Sequence, residues 1–284
     1  MPELPEVEVV RRTLAAAVVG RRVERVVVHR PDVVRLGGTT RQRRGRGLSG
    51  VLLGGREVVG VQRHGKQLAI VGRGGAVVCV HLGMSGGLRV TDGSVRGRGP
   101  HTHVVWHMTG GGSVAFRDPR RFGGVWAFPD EAALRRQRWD RLGRDAMCIT
   151  PKQLHDRLTH TRRHLKAALL DQDLVAGLGN IYVDELLFAV GLHPRGVAAA
   201  VTRDESIRLV RTMRRLLGRA IEAGGSTLRD HADAEGQAGG FQARHRVYGR
   251  GGLPCTRCED LLTTEVVAGR TTVICGRCQR NGAD

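Results

Sequence analysis

Lysine is nearly missing from this chain of 284 residues: Lys66, Lys152 and Lys166 are the only ones among 46 basic residues, so arginine carries almost all of the positive charge. Guanidinium stays protonated near neutral pH, whereas a desolvated ammonium can release a proton, so the few lysines point to placement for more than charge. Long apolar runs are missing as well. No stretch approaches about 18 uninterrupted apolar residues, which argues against a membrane-spanning helix. The start, Met1-Pro2-Glu3-Leu4-Pro5-Glu6, has neither the basic nor the apolar region of a secretory signal, and a cytoplasmic location is expected. Internal repeats are absent, and acidic residues are in deficit at 27.

That deficit leaves a formal net charge of +19, which favours polyanions through phosphate contacts and counterion release. A ribosome-associated or membrane-surface protein would fit the charge equally well, so the motifs must decide. The length calls for two or three compact units. Pro5 to Gly20 reads as an opening helix, with Glu6 and Glu8 in its first turn and Gly20 as terminator. Short runs at Val23 to Val28, Glu57 to Gln62, Leu68 to Val71, Ala76 to Leu82, Val104 to Met108, Ser113 to Phe116 and Val125 to Phe128 alternate with Gly- and Arg-rich turns, the pattern of a sandwich or barrel.

Beyond a connector the pattern becomes helical. Lys166 to Val175 is predicted as one helix and Ile181 to Val190 as the next, separated by a Gly177-Gly179-Asn180 turn. Thr202 and Glu205 stand in capping-box spacing before a long amphipathic helix ending at Gly224-Gly225. Asp230 to Gly240 lacks periodicity and reads as a mobile loop.

Six cysteines divide unequally. Cys255-x2-Cys258 and Cys275-x2-Cys278, sixteen residues apart, present four thiolates to one tetrahedral ion, and the Thr- and Val-rich stretch between them suits a hairpin. One structural zinc is expected, since four Cys ligands leave no open position for catalysis. Arg270, near the hairpin tip, is placed to reach phosphate. Cys79 and Cys148 read as buried small hydrophobes.

The N-terminus offers different chemistry. Removal of Met1 would expose the secondary amine of Pro2, partly unprotonated near neutral pH and nucleophilic, beside a Glu3 carboxylate able to donate a proton. Taken alone, a Pro-Glu start more often marks an ordinary helix N-terminus than chemistry.

Six motifs in order, Met1-Pro2-Glu3-Leu4-Pro5-Glu6-Val7-Glu8, His81-Leu82-Gly83-Met84-Ser85-Gly86, Asp118-Pro119-Arg120-Arg121-Phe122-Gly123, Gly177-Leu178-Gly179-Asn180-Ile181-Tyr182, Val247-Tyr248-Gly249-Arg250 and the cysteine module, span nearly the whole chain. Together they resemble the motif set of the formamidopyrimidine-DNA glycosylases. The resemblance implies an α+β multidomain protein: an N-terminal β-sandwich with flanking helices (1–129), a connector and helical helix-two-turns-helix domain (130–235), and a C-terminal four-Cys zinc finger (246–284). It implies a DNA glycosylase and abasic-site lyase of base-excision repair, acting on damaged double-stranded DNA as a monomer and gathered on the nucleoid by that binding.

The same resemblance makes Pro2 the Schiff-base nucleophile, Glu3 the general acid, Lys66 an essential lysine near the lesion, and Arg270 the phosphate-gripping arginine that assists the second elimination. Met84, Arg120 and Phe122 would fill the space left by an extruded base, a role that an apolar wedge and a base-edge donor can perform. His101, Arg162, Lys166 and Asn180 would contact DNA. Two departures from the family pattern stand out: Gly240 stands where a tyrosine is common, and Arg162-Arg163-His164 replaces lysines before Lys166. Three other readings compete: an endonuclease VIII-like enzyme for oxidised pyrimidines, a noncatalytic damage-binding relative, and a zinc-ribbon module on an unrelated domain. The Met84, Arg120 and Phe122 set favours the purine branch.

Overall fold

The structure is a computed structural model that describes residues 2–37, 47–91, 99–227 and 232–279. Two compact units emerge, one built from residues 1–141 with 223–240, the other from 142–222 with 241–284.

The first unit opens with α1 (Leu4–Val18), whose buried Leu4, Val7, Val10, Leu14 and Val18 fall at helical spacing along one face. Strands β1 (Val23–Val28) and β2 (Val34–Leu36) precede a short helix α2 (Leu48–Val51). Seven strands follow: β3 (Val58–His64), β4 (Gln67–Gly72), β5 (Val77–His81), β6 (Gly87–Thr91), β7 (Thr102–Met108), β8 (Ser113–Arg117) and β9 (Gly124–Phe128); helix α3 (Glu131–Gln137) comes after them. They form a four-stranded sheet in the order β1-β7-β8-β6 and a five-stranded sheet in the order β2-β9-β5-β4-β3. Phe116 and Trp106 from one sheet, Leu68 and Val80 from the other, and Val10 and Leu14 of α1 share a single core, as expected of a β-sandwich with a flanking helix. Truncating a wholly buried member such as Leu14 to Ala would remove about 2–5 kcal/mol.

The second unit begins with β10 (Arg144–Asp145) and α4 (Pro151–Thr159), followed by α5 (Leu165–Leu170), β11 (Val175–Ala176), α6 (Asn180–Val190) and α7 (Arg203–Glu222). The capping box expected before α7 is formed: the Thr202 N–H donates to Glu205 Oε2 at 2.8 Å and the Glu205 N–H to Thr202 Oγ1 at 3.2 Å. A hairpin of β12 (Thr263–Val267) and β13 (Arg270–Ile274) completes the unit. Ala268 and Gly269 turn it with φ of 52° and 68°, the twist-matched two-residue geometry.

Several expectations need correction. The helix expected over Lys166 to Val175 stops at Leu170, because the Asp171 carboxylate takes the Asp173 N–H at 2.9 Å, and Val175 and Ala176 pair in parallel with Arg144 and Asp145. Strands β2 and β6 were not expected: β2 is only three residues long, and β6 opens on Gly87. Cys148 is exposed at a turn rather than buried, while Cys79 is buried as expected. Of the loop expected at Asp230 to Gly240, residues 230 and 231 lie outside the described residues; the rest is anchored. Ala234 is wholly buried, its N–H donates to Thr13 Oγ1 at 3.2 Å and its carbonyl accepts the Val90 N–H at 2.7 Å. Among the described residues no helix is long and apolar enough to cross a membrane.

Candidate functional site

In the first unit the N-terminal residues are tightly held. Pro2 is buried, and Glu3, 2 % exposed, occupies the N-cap of α1 with extended backbone. The Glu3 N–H donates to Glu6 Oε2 at 2.8 Å, while Glu6 Oε1 accepts the N–H of Ser226, also at 2.8 Å. One buried carboxylate therefore fixes the backbone that carries the amine and acid candidates.

Lys66 sits in the two-residue turn between β3 and β4 and is 7 % exposed, a desolvated position that distinguishes it from Lys152, whose side chain is 85 % exposed. That turn is tied to α1. Glu8 accepts Arg63 Nε at 3.0 Å, and Arg63 Nη1 donates to the Gly65 carbonyl at 3.0 Å. Burial would raise the Glu8 carboxyl, but Arg11 and Arg63 overcome it and bring it from 4.5 down to about 2. Burial, reinforced by Arg138 and Lys66, pushes His81 down to about 4, so that this imidazole is neutral at physiological pH.

A second patch in the same unit joins two loops. Asp118, with no solvent exposure, accepts the Ser85 hydroxyl at 2.6 Å through Oδ1 and the Gly123 N–H at 2.7 Å through Oδ2; Ser85 Oγ in turn accepts the Arg120 N–H at 3.1 Å. The loops can approach this closely only through glycine. A Cβ on Gly83 would lie 2.4 Å from the Gly123 nitrogen, and one on Gly123 would lie 2.5 Å from the His81 carbonyl oxygen.

Together they display Met84, 42 % exposed, and Phe122, 59 % exposed, with the Arg120 guanidinium 5.8 Å from the Phe122 ring centre. Exposed apolar side chains beside an arginine suit insertion into a base stack. His101 is exposed at φ 64° and its carbonyl accepts the Asp118 N–H at 3.0 Å; Arg121 sits at φ 56°. Two such left-handed non-glycine residues cost about 1–3 kcal/mol each, held by the surrounding loops.

In the second unit the four cysteine Sγ atoms lie within 4.8 Å of one another, with Cys255 to Cys278 at 3.9 Å and Cys258 to Cys275 at 3.4 Å. A tetrahedral ion with Zn–S bonds near 2.3 Å needs edges of about 3.8 Å, so the thiolates suit one structural zinc. Arg270 is exposed at the start of β13. Asn180 opens α6, and its Nδ2 donates to the Thr271 carbonyl at 2.9 Å. Arg162 is exposed.

Lys166 contradicts its expected contact with DNA. Its side chain is wholly buried, ion-paired at 2.6 Å with Asp184 Oδ1, and it donates to Thr272 Oγ1 at 2.7 Å and to the Thr271 carbonyl at 3.3 Å, so its charge is met inside the protein. Burial pushes the Asp184 carboxyl up to about 6 against the opposing pull of Lys166. Sequence reasoning passed over Glu6, Glu8, Arg63, Ser85, Asp118 and Asp184. Their signal was adjacency: all but Asp184 lie inside one of the six motifs or within three positions of Lys66.

Three family models match in chain order: the formamidopyrimidine-DNA glycosylase N-terminal domain over residues 1–125, the formamidopyrimidine-DNA glycosylase H2TH domain over 142–232, and a zinc finger found in FPG and IleRS over 252–281. The formamidopyrimidine-DNA glycosylase of Geobacillus kaustophilus is 40 % identical, over 99 % of this chain and 100 % of its own. That of Cereibacter sphaeroides is 42 % identical with the same coverage. Among solved structures, the MutM (Fpg) protein of Thermus thermophilus superposes with a TM-score of 0.84 at 39 % identity, covering 98 % of each chain. A Lactococcus lactis Fpg variant in complex with DNA containing Fapy-dG gives 0.88 at 30 % identity, covering 98 % of this chain and 100 % of that one.

Proposed function

The chain belongs to the formamidopyrimidine-DNA glycosylase family, and from that premise we propose that it is a bifunctional glycosylase and abasic-site lyase that removes oxidised purines, 8-oxoguanine and formamidopyrimidines, from duplex DNA. The observation that carries this reading is the pinned start of α1, where Glu6 holds the backbone of Glu3 beside Pro2. Removal of Met1 makes Pro2 a terminal secondary amine. Its nitrogen attacks C1′ of the damaged nucleotide, the bond from C1′ to the base breaks, and Glu3 protonates the sugar ring oxygen as the ring opens to an iminium ion.

The iminium is the electron sink for both eliminations. It acidifies the proton on C2′, whose loss expels the 3′ phosphate; the conjugated product then loses a proton from C4′ and expels the 5′ phosphate. Water hydrolyses the iminium and frees Pro2. The product is a one-nucleotide gap with phosphates at both ends. Lys66, desolvated, moves protons near the lesion, and Arg270 holds the phosphate that departs second.

Met84, Arg120 and Phe122 fill the vacated stack. His101, Arg162 and the N-terminus of α6 at Asn180 supply phosphate contacts. Zinc, bound by Cys255, Cys258, Cys275 and Cys278, holds the hairpin that presents Arg270. The enzyme acts as a monomer in the cytoplasm, concentrated on the nucleoid by its charge. Gly240, exposed and bonded through its N–H to the Ala223 carbonyl, leaves an extruded base less covered than a tyrosine there would.

Borohydride trapping tests the reading. Mature protein should form an adduct on 8-oxoguanine opposite cytosine that Pro2→Gly abolishes and Glu3→Gln weakens. Trapping confined to a duplex carrying an oxidised pyrimidine or an abasic site would reject the purine assignment, and DNA binding without any adduct would reject catalysis.

A further inference from the structure

Four side chains buried or half-buried in the second unit converge on the backbone beside Arg270. Asp184 of α6 pairs with Lys166 of α5 at 2.6 Å; Lys166 donates to Thr272 Oγ1 at 2.7 Å; and the Thr272 hydroxyl donates to the carbonyl of Arg270 itself at 3.0 Å. The next carbonyl, that of Thr271, is gripped twice, by Lys166 Nζ at 3.3 Å and by Asn180 Nδ2 at 2.9 Å. Lys166, Asp184 and Thr272 are at most 1 % exposed, so the contacts of Lys166 with Asp184 and with Thr272 Oγ1 form away from water, where each is stronger and its loss costs more.

The facing strand is secured separately. Arg195 binds Glu265 at 2.7 Å and the Val266 carbonyl at 3.1 Å, both on β12. The tip itself, Ala268 and Gly269, turns with both residues at positive φ between the paired Val267 and Arg270. The start of β13, the point from which the Arg270 side chain departs, is therefore held, besides its pairing with Val267 of β12, by the contacts that run from Asp184 through Lys166 and Thr272.

We infer that Lys166 is a positioning residue for strand cleavage: with Asp184, Thr272 and Asn180 it clasps the Arg270 and Thr271 carbonyls and so fixes where the Arg270 guanidinium meets phosphate. This rests on the reading that Arg270 promotes the second elimination. It reassigns the second unit's buried lysine from touching DNA to aiming the residue that does. It also gives the Asn180 side chain a second duty, since the amide aimed at the Thr271 carbonyl stands at the start of the helix whose N–H groups face phosphate.

The test compares products of single-turnover reactions on a duplex containing an abasic site, reading the ratio of second-elimination to first-elimination product. Arg270→Ala establishes the baseline and should lower the ratio. Thr272→Val, which keeps the Lys166 to Asp184 pair and removes only the hydroxyl, should lower it roughly fivefold, about 1 kcal/mol, with one zinc per chain retained and base release from an 8-oxoguanine duplex near wild type. Lys166→Met should lower the ratio at least as far in the protein that retains zinc. Added to Arg270→Ala, neither change should lower it further, because coupled residues are not additive.

A wild-type ratio in Thr272→Val and Lys166→Met, with Arg270→Ala altered, overturns the clasp while leaving the role of Arg270 intact. An unaltered ratio in Arg270→Ala overturns both. A further fall in the double variants would mean that Lys166 acts elsewhere, and would also overturn it.

Discussion

Asp118 and Ser85 are joined by a 2.6 Å hydrogen bond, donated by the Ser85 hydroxyl to a carboxylate wholly removed from solvent. The bond makes one body of two loops 33 positions apart in sequence, one bearing Met84 and the other Arg120 and Phe122. Met84, Arg120 and Phe122 are thus displayed by a buried acid that never reaches the surface.

Replacing Asp118 with Ala would orphan Ser85 Oγ and the Gly123 N–H, a loss of about 1–3 kcal/mol in wedge geometry. Base release from 8-oxoguanine duplexes should slow by roughly tenfold to a hundredfold, whereas adduct formation on a preformed abasic duplex, where no base must be extruded, should change little. Equal slowing of the two reactions in rapid-quench measurements would assign Asp118 to general folding instead.

Glu8 should shape the acid limb of stability. Its carboxyl titrates near 2 in the folded chain against an ordinary 4.5, so its contribution is complete above pH 4.5 and disappears as pH falls toward 2. Melting curves of the wild type and Glu8→Gln should therefore differ most above that upper value and converge at the acid end. A gap that stayed constant across the range would show that the Arg11 and Arg63 bonds add no charge-dependent stability.

Metal analysis should find one zinc per chain, and Cys275→Ser, at a ligand with no solvent exposure, should abolish it. Structural zinc contributes on the order of 10 kcal/mol in peptide models. Phe188, Val247, Leu262 and Val273 pack around the thiols, so loss of the ion should loosen that cluster and weaken DNA binding and strand cleavage together. Full cleavage by a zinc-free protein would contradict this dependence.

Exposed arginines allow a count of phosphate contacts. Arg162→Ala should weaken binding to damaged and undamaged duplexes alike and reduce the slope of log affinity against log salt by about one. An unchanged slope would remove Arg162 from the interface.

Much of the architecture is legible in the residues alone. Spacing determines the thiol cluster, because a C-x-x-C turn can present its sulfurs in few ways. The strands of the main sandwich are legible wherever apolar runs lie between turn residues, but three-residue β2 and glycine-led β6 give too short a signal. The Lys166 helix is overextended in the sequence reading because Leu169, Leu170, Leu174 and Val175 continue a plausible apolar pattern, and only the Asp171 turn, a side chain competing with the backbone, ends it. The environment of a charge is least legible. Lys66 and Lys166 are both buried, yet the carboxylate that pairs with Lys166 lies 18 positions away on another helix.

The hydrogen bond from Ser226 to Glu6 spans 220 positions. During synthesis the chain emerges from its amino end, so Glu6 waits without this partner until most of the protein has been made, and Ala234 reaches the sandwich core later still. The first unit is thus completed after the stretch that interrupts it has been translated. A nascent chain halted before that point lacks the contact from Ser226 to Glu6, and the start of α1 beside Pro2 is fully pinned only in a protein whose second-unit helices α4 to α7 have already been made.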